Sequence, residues 1–345
     1  MTKRVLFILK RRHDYNAVLH SNIGLSTGLY NSAKFMNDML VNSGIESKMV
    51  VVTDNNDIDR EVRGYNPTHV IIEALWVVPE KFNILSKLHP NVEWIIRLHS
   101  ELPFLAGEGI AIDWIGSYSL HKNIKIGVNA PRMMNEVIEY LKTKGTYNNN
   151  AIYLPNYYPQ EYKTNQYQDK EYLDIGCFGA VRLLKNHMVQ ALAAIKAANK
   201  LGKKLRFHVN IGRIEMNGGP VMHNLLALFE NIENSGHQLI NHKWAPREQF
   251  LELCAKMDVG MQCNFSETFN IVGADLVSQG VPLVGSKEIP WLPKFLCADP
   301  TDSNKITDKI IVAIRFNYIL TKISQFKLKF YTNKSKKIWL KYFKD

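Results

Sequence analysis

Residues 263–285 read CNFSETFNIVGADLVSQGVPLVG. A polar loop holding Ser266, Glu267, Thr268 and Asn270 leads into a helical stretch over residues 269–279. Gly280, Val281 and Pro282 then lead into a short strand. Two acids, Glu267 and Asp275, stand eight residues apart around the helix start. A helix N-terminus offers free N–H groups and positive potential to an anion. A carboxylate accepts hydrogen bonds from sugar hydroxyls. The residues alone equally describe a helix capped by Ser266 with Asp275 facing solvent, so the neighbouring segments have to decide.

Working outward, the same loop, helix and strand recur. Upstream, strands are expected at 174–178, 205–211, 238–241 and 259–261, separated by helices at 186–199, 222–231 and 247–254; a last helix is expected near 304–320. The first half shows the same rhythm, with strands at 5–9, 48–53, 69–75, 93–98, 124–128 and 151–154. Helices fall at 28–43, followed by Gly44, and at 131–144, which starts on Pro131 and is followed by Gly145. Such alternation implies parallel sheets covered on both faces. Residues 156–172 are polar, tyrosine-rich and without apolar period. The expected organisation is therefore an α/β chain of two doubly wound, Rossmann-like domains. They cover 1–156 and 173–320, joined by a linker at 157–172 and followed by a basic tail at 321–345. Ligands in such folds bind at the carboxyl ends of the strands, and facing domains place them in a cleft.

The 345 residues are 46% hydrophobic and 22% charged, which excludes disorder, collagen and coiled coil as the main architecture. The net charge of +11 invites an anionic partner. Its location matters more than its sum. Residues 303–345 hold 11 Lys and Arg against only Asp308 and Asp345, so the body is nearly neutral and a nucleic-acid surface spread over the whole chain is disfavoured. Within the tail, residues 326–331 alternate basic and apolar side chains. Residues 335–343 place Ile338, Trp339, Leu340, Tyr342 and Phe343 beside lysines. Three readings are open: a last helix crossing back to pack on the first domain, a basic aromatic helix on a membrane surface, or a lysine patch on DNA. Cys177, Cys254, Cys263 and Cys297 form no CxxC pair and are expected to be buried thiols in a reducing compartment. The apolar run 5–9 is too short for a signal segment, and no stretch approaches the ~18 apolar residues of a span. The expected location is cytoplasmic, with peripheral membrane contact left open.

The segment 263–285 resembles the E-x7-E region of retaining glycosyltransferases with the GT-B fold, the large group-1, family-4-like set that includes sucrose synthase. Ser266, Glu267, Phe269, Asp275, Gly280, Val281 and Pro282 match it, with Asp275 standing where Glu is usual. A second match is residues 175–187, IGCFGAVRLLKNH, which looks like that group's strand, loop and helix carrying a phosphate-binding Arg and Lys, here Arg182 and Lys185. The resemblance implies a hexosyltransferase of class EC 2.4 using a nucleotide-sugar donor, UDP- or GDP-linked, with no further cofactor and no metal. Glu267 would orient the sugar, Asp275 the ribose, and Arg182 and Lys185 the leaving diphosphate. His99, at a strand end in IIRLHSELPF, would face the donor sugar.

Weaker matches extend the donor site. Residues 207–219, with Gly212, resemble the strand and loop approaching the nucleotide. Residues 240–250, with Trp244 and Arg247, resemble the turn that holds the base. Residues 22–30, NIGLSTGLY, with Gly24 and Gly28, resemble the glycine-containing first loop. Asn129 and Asn156 also end strands and are candidates for lining the cleft. Arg11, Arg12 and His13 are candidates for an anionic acceptor. Asp57-Ile58-Asp59 spells D-x-D by chance in what reads as a loop, and no His/Cys cluster has metal-ligand spacing. Other readings remain: a phage-type glycosyltransferase acting on hydroxymethylated DNA bases, a nucleotide-sugar 2-epimerase, or a non-catalytic nucleotide-sugar-binding protein.

Overall fold

The computed structural model describes residues 3–11, 27–165 and 167–344. Packing divides them into two units. One runs to Pro159 and resumes at Thr332; the other is Gln160–Tyr331. In the first unit β1 (Arg4–Lys10), β2 (Glu46–Val52), β3 (His69–Glu73), β4 (Glu93–Leu98), β5 (Ile124–Val128) and β6 (Ala151–Tyr153) form a parallel sheet in the order β2-β1-β3-β4-β5-β6. The helices are α1 (Thr27–Val41), α2 (Asp57–Tyr65), α3 (Phe82–Leu88), α4 (Leu102–Leu105), α5 (Ala111–Tyr118) and α6 (Pro131–Lys144). Alternate β1 residues feed two different cores. Leu6 and Ile8 join one, and Val5, Phe7 and Leu9 the other, as expected of a parallel sheet buried on both faces. Pro131 opens α6, and Gly145 closes it in the left-handed conformation at φ 75°.

In the second unit β7 (Tyr172–Gly176), β8 (Lys204–Val209), β9 (Gln238–Asn241), β10 (Val259–Gln262) and β11 (Leu283–Gly285) form a parallel sheet ordered β11-β10-β7-β8-β9. Its helices are α7 (His187–Lys200), α8 (Gly218–Asn231), α9 (Arg247–Ala255), α10 (Ile271–Ser278) and α11 (Ser303–Arg315). The order reverses between β7 and β10, and between β1 and β3 in the first sheet. Ligands of doubly wound sheets bind outside the strand carboxyl ends at these points. The segment before β7 is fastened to the second unit, with Lys163 donating its N–H to Ser278 O at 2.7 Å. A Cβ on Gly280, itself at φ 87°, would stand 2.4 Å from the Asn165 nitrogen, so this contact requires glycine.

The helix α12 (Asn317–Lys344) runs from the second unit into the first. Its last turns bury Trp339 and Phe343 in the β1 core. Trp339 stacks on Phe7 with centroids 6.1 Å apart and donates its indole N–H to Pro155 O at 2.7 Å.

Three expectations are corrected. Asp57-Ile58-Asp59 begins α2 and is not a loop; Ile58 and Val62 are buried one turn apart, and both acids favour a first turn. The helix expected near 304–320 stops at Arg315, and α12 starts two residues later. The short helices α3, α4 and α5, of 7, 4 and 8 residues, were not foreseen.

Candidate functional site

At the β7/β10 reversal two loops meet. The loop after β7 turns at Gly179, whose φ of 117° is open to glycine, then runs through Arg182 into a 3-10 turn over Leu183–Lys185. The loop after β10 carries Asn264 and Glu267. The Lys185 ammonium donates to Glu267 Oε1, which also accepts from Asn264 Nδ2 at 2.7 Å. Lys185 and Glu267 are only 12% and 10% exposed, so each charge depends on the other. Behind them Gln262 Oε1 accepts from Asn264 at 3.0 Å and Asn270 at 2.9 Å. Asn270, at φ 64°, caps α10 by accepting the Gly273 N–H at 2.6 Å. The cap is therefore Asn270, four residues beyond the Ser266 of the capping alternative. Ser266 and Thr268 are buried in the same loop. Phe269 packs against Trp291 and Tyr331, so its ring belongs to the core.

Arg182 lies beside a second carboxylate. Residues 213–215 pair with Val181 by backbone hydrogen bonds. Glu215 thereby faces the Arg182 guanidinium at 3.2 Å and that of Arg213. Arg213 sits 5.4 Å from the Trp244 ring centroid. Arg247, first residue of α9, is paired with buried Asp275 at 2.8 Å. Gly212 is exposed, with open space where a Cβ would stand. His187 opens α7, is buried, and has neither ring nitrogen hydrogen-bonded. Burial first, then Lys185 and Arg182, push its imidazole down to about 4, so it is neutral at pH 7.

The first unit carries its own polar cluster at the ends of β3 and β4. The Arg97 guanidinium is fully buried and donates to both Glu73 oxygens at 3.2 Å, to Asn156 Oδ1 at 2.5 Å and to Leu154 O at 3.2 Å. Asn129 donates to the same Asn156 oxygen at 3.3 Å. His99 Nε2 is hydrogen-bonded to Glu73 Oε2. Burial pushes the Glu73 carboxyl up, yet Arg97 and His99 outweigh it and hold it below the usual range. Burial, aided by Arg97, moves His99 down against the pull of Glu73. Gly28 lies in the first turn of α1. Arg11 is exposed just past β1, its N–H bonded to Val52 O at 2.7 Å. Gly24, Arg12 and His13 lie outside the described residues.

The structure thus brings Lys185 to Glu267, Arg247 to Asp275, and Arg182, through Glu215 and Arg213, toward Trp244. Sequence reasoning did not single out Glu73, Arg97, Asn264, Glu215 or Arg213. A charged residue inside the apolar runs HVIIE and EWIIRL was the available signal for the first two. Two cavities of the second unit lie elsewhere. One of about 760 Å³ is lined by residues such as Lys170, Lys203 and His237, and one of about 310 Å³ by Asp174, Arg206, His208 and His242. The assigned donor residues line neither.

No family model matches the sequence. No curated protein matches it either. Solved structures do. The Candida albicans trehalose-6-phosphate phosphatase N-terminal domain matches with a TM-score of 0.67 at 11% identity, over 99% of this chain and 96% of that one. Sucrose-phosphate synthase from Thermosynechococcus elongatus matches at 0.63 and 14%, over 94% of both chains. A UDP-forming α,α-trehalose-phosphate synthase from Burkholderia xenovorans matches at 0.66 and 11%, over 99% of both. The chain has the GT-B fold.

Proposed function

We propose that the chain is a retaining glycosyltransferase that moves a sugar from a UDP- or GDP-linked donor to a hydroxyl acceptor of glycan, lipid or other small-molecule class. The observation that carries it is the Lys185–Glu267 pair, with Arg182, at the strand-order reversal of the second sheet. A diphosphate needs cations and N–H groups there, and a sugar needs carboxylate and amide acceptors; Arg182, Lys185, Glu267 and Asn264 are that set. The likeness to a synthase named UDP-forming supports a nucleotide-sugar donor.

In this reading Lys185 and Arg182 neutralise the diphosphate as the glycosidic C–O bond breaks. These cations take the part a divalent metal plays in other transferases. Glu267 orients the sugar, Asp275 and Arg247 serve the nucleoside, and His99 serves the transferred sugar. The acceptor oxygen forms the new C–O bond on the face the phosphate leaves, and its proton passes to the departing phosphate oxygen. No protein nucleophile is required, and fixed charges supply the stabilisation.

A thermal-shift panel of UDP-, GDP-, ADP- and dTDP-sugars tests the donor. A site saturated at 100 times its dissociation constant gains about 2.7 kcal/mol. The absence of any shift across the panel would refute the reading. With the active donor in hand, product anomeric configuration by NMR tests retention; inversion overturns that part.

A further inference from the structure

The helix α12 has two contrasting faces. Leu320, Ser324, Gln325, Leu328 and Thr332 are buried. On the opposite side Ile319, Phe326 and Phe330 are 58%, 67% and 65% exposed. They are seven and four residues apart, so at ~100° per residue they fall within about 40° of one line, roughly 16 Å long. Lys322 and Lys329 flank this line on one side, Lys327 and Lys334 on the other. Lys322 reaches Thr164 Oγ1 at 2.9 Å, and the other three are exposed. The helix contains no acidic residue. Among the described residues, no helix is long and apolar enough to cross a membrane.

We propose that this face of α12 lies flat on an anionic bilayer, with Ile319, Phe326 and Phe330 below the headgroups and the flanking lysines at the lipid phosphates. A single apolar line with cations on both flanks is the arrangement of an in-plane membrane helix. Charge complementarity selects an anionic surface. Ile319 has no stacking face for a base, whereas hydrocarbon accepts Ile and Phe alike, which favours lipid over single-stranded nucleic acid. These are not the tail aromatics that drew attention in the sequence, since Trp339 and Phe343 are buried in the first unit. The proposal does not depend on the transferase reading.

Co-sedimentation of the full chain with phosphatidylcholine vesicles, with and without about 30% phosphatidylglycerol, is the test. The chain should pellet with the anionic vesicles and remain in solution with the neutral ones. F326S/F330S should lower the partition coefficient at least ~tenfold at an unchanged melting temperature, because both rings are solvent-facing. K327Q/K329Q/K334Q should lower it and flatten its salt dependence. If F326S/F330S melts lower than the parent chain, the lysine variant decides alone. The proposal is overturned by no binding to anionic vesicles, or by parental partition of either folded variant. Binding of oligo-dT without vesicle binding, abolished by F326S/F330S, also overturns it and assigns the face to nucleic acid.

Discussion

Replacing Lys185 separates a structural ion pair from a ligand site. In the unliganded protein Lys185→Ala leaves Glu267, 10% exposed, with Asn264 as its remaining hydrogen-bond donor among those described above. Removing one partner of a buried pair costs about 3–5 kcal/mol. The slight exposure of both side chains places this case near the lower end, about 3 kcal/mol. Neutralising the orphaned acid as well, in K185A/E267Q, should restore most of that loss, because the amide keeps the Asn264 contact without a buried charge. Donor binding should behave oppositely. If Lys185 meets the diphosphate, both variants lose the nucleotide-induced shift, and the restored stability of the double variant brings none of it back. Differential scanning fluorimetry with and without saturating nucleotide diphosphate reads both quantities on the same samples. A full nucleotide shift in Lys185→Ala would remove Lys185 from the phosphate. A double variant as unstable as the single one would show that the pair is not the source of the loss.

Two further expectations concern stability. His187 has its folded pKa depressed to about 4 from 6.5, so its neutral form contributes fully above 6.5 and that contribution is lost as pH falls toward 4. Between pH 7.5 and 4.5 the stability of the parent chain should drop relative to His187→Gln by roughly 2–3 kcal/mol, followed by urea unfolding; a pH-independent difference contradicts the burial argument. Trp339→Ala should cost about 3–5 kcal/mol by removing the ring stacked on Phe7, and a loss under ~1 kcal/mol in urea unfolding would mean that residues 332–344 do not hold to the first unit.

Much of the fold was legible because parallel strands buried on both faces are near-continuous apolar runs, as in Val5–Leu9, and because caps such as Pro131 and Gly145 mark helix ends. Strand order was not legible, since pairing such as β10 with β7 joins residues more than eighty apart. Motif resemblance singled out Lys185 and Glu267 separately, for the diphosphate and the sugar, but their contact across 82 residues was not legible in any local pattern. Of the buried Glu73–Arg97–His99 cluster only His99 was singled out; Glu73 and Arg97 escaped notice for a related reason. Each acid or base looks like an ordinary strand end until the sheet sets β3 beside β4. The packing reading of the tail holds for Trp339 and Phe343, but treating residues 326–331 and 335–343 as separate parts hid that they share one helix. On one continuous 28-residue helix, Phe326 and Phe330 fall opposite Trp339 and Phe343. Reading residues 335–343 alone could not separate a packing face from a docking face.

The positive charge of this chain is of two kinds, and the difference bears on mechanism. Around the strand-order reversal of the second sheet each named cation faces a carboxylate: Lys185 has Glu267, Arg182 and Arg213 share Glu215, and Arg247 has Asp275. A site built this way is close to neutral before a ligand arrives, which spares it the cost of isolated charges at 4–23% exposure. On the proposed reading a diphosphate then competes with Glu267 for Lys185, and the carboxylate that loses its partner becomes an acceptor for sugar hydroxyls. Phosphate and sugar recognition would be coupled through one ion pair. A nucleotide diphosphate lacking the sugar should therefore gain affinity in Glu267→Gln, where the competing charge is gone, while the intact donor should lose it. The ratio of the two affinities by calorimetry measures that coupling, and a parallel change in both would refute it. The lysines of α12 follow the other logic. That helix carries no acidic residue, and on the proposal made above its exposed lysines meet an anionic surface.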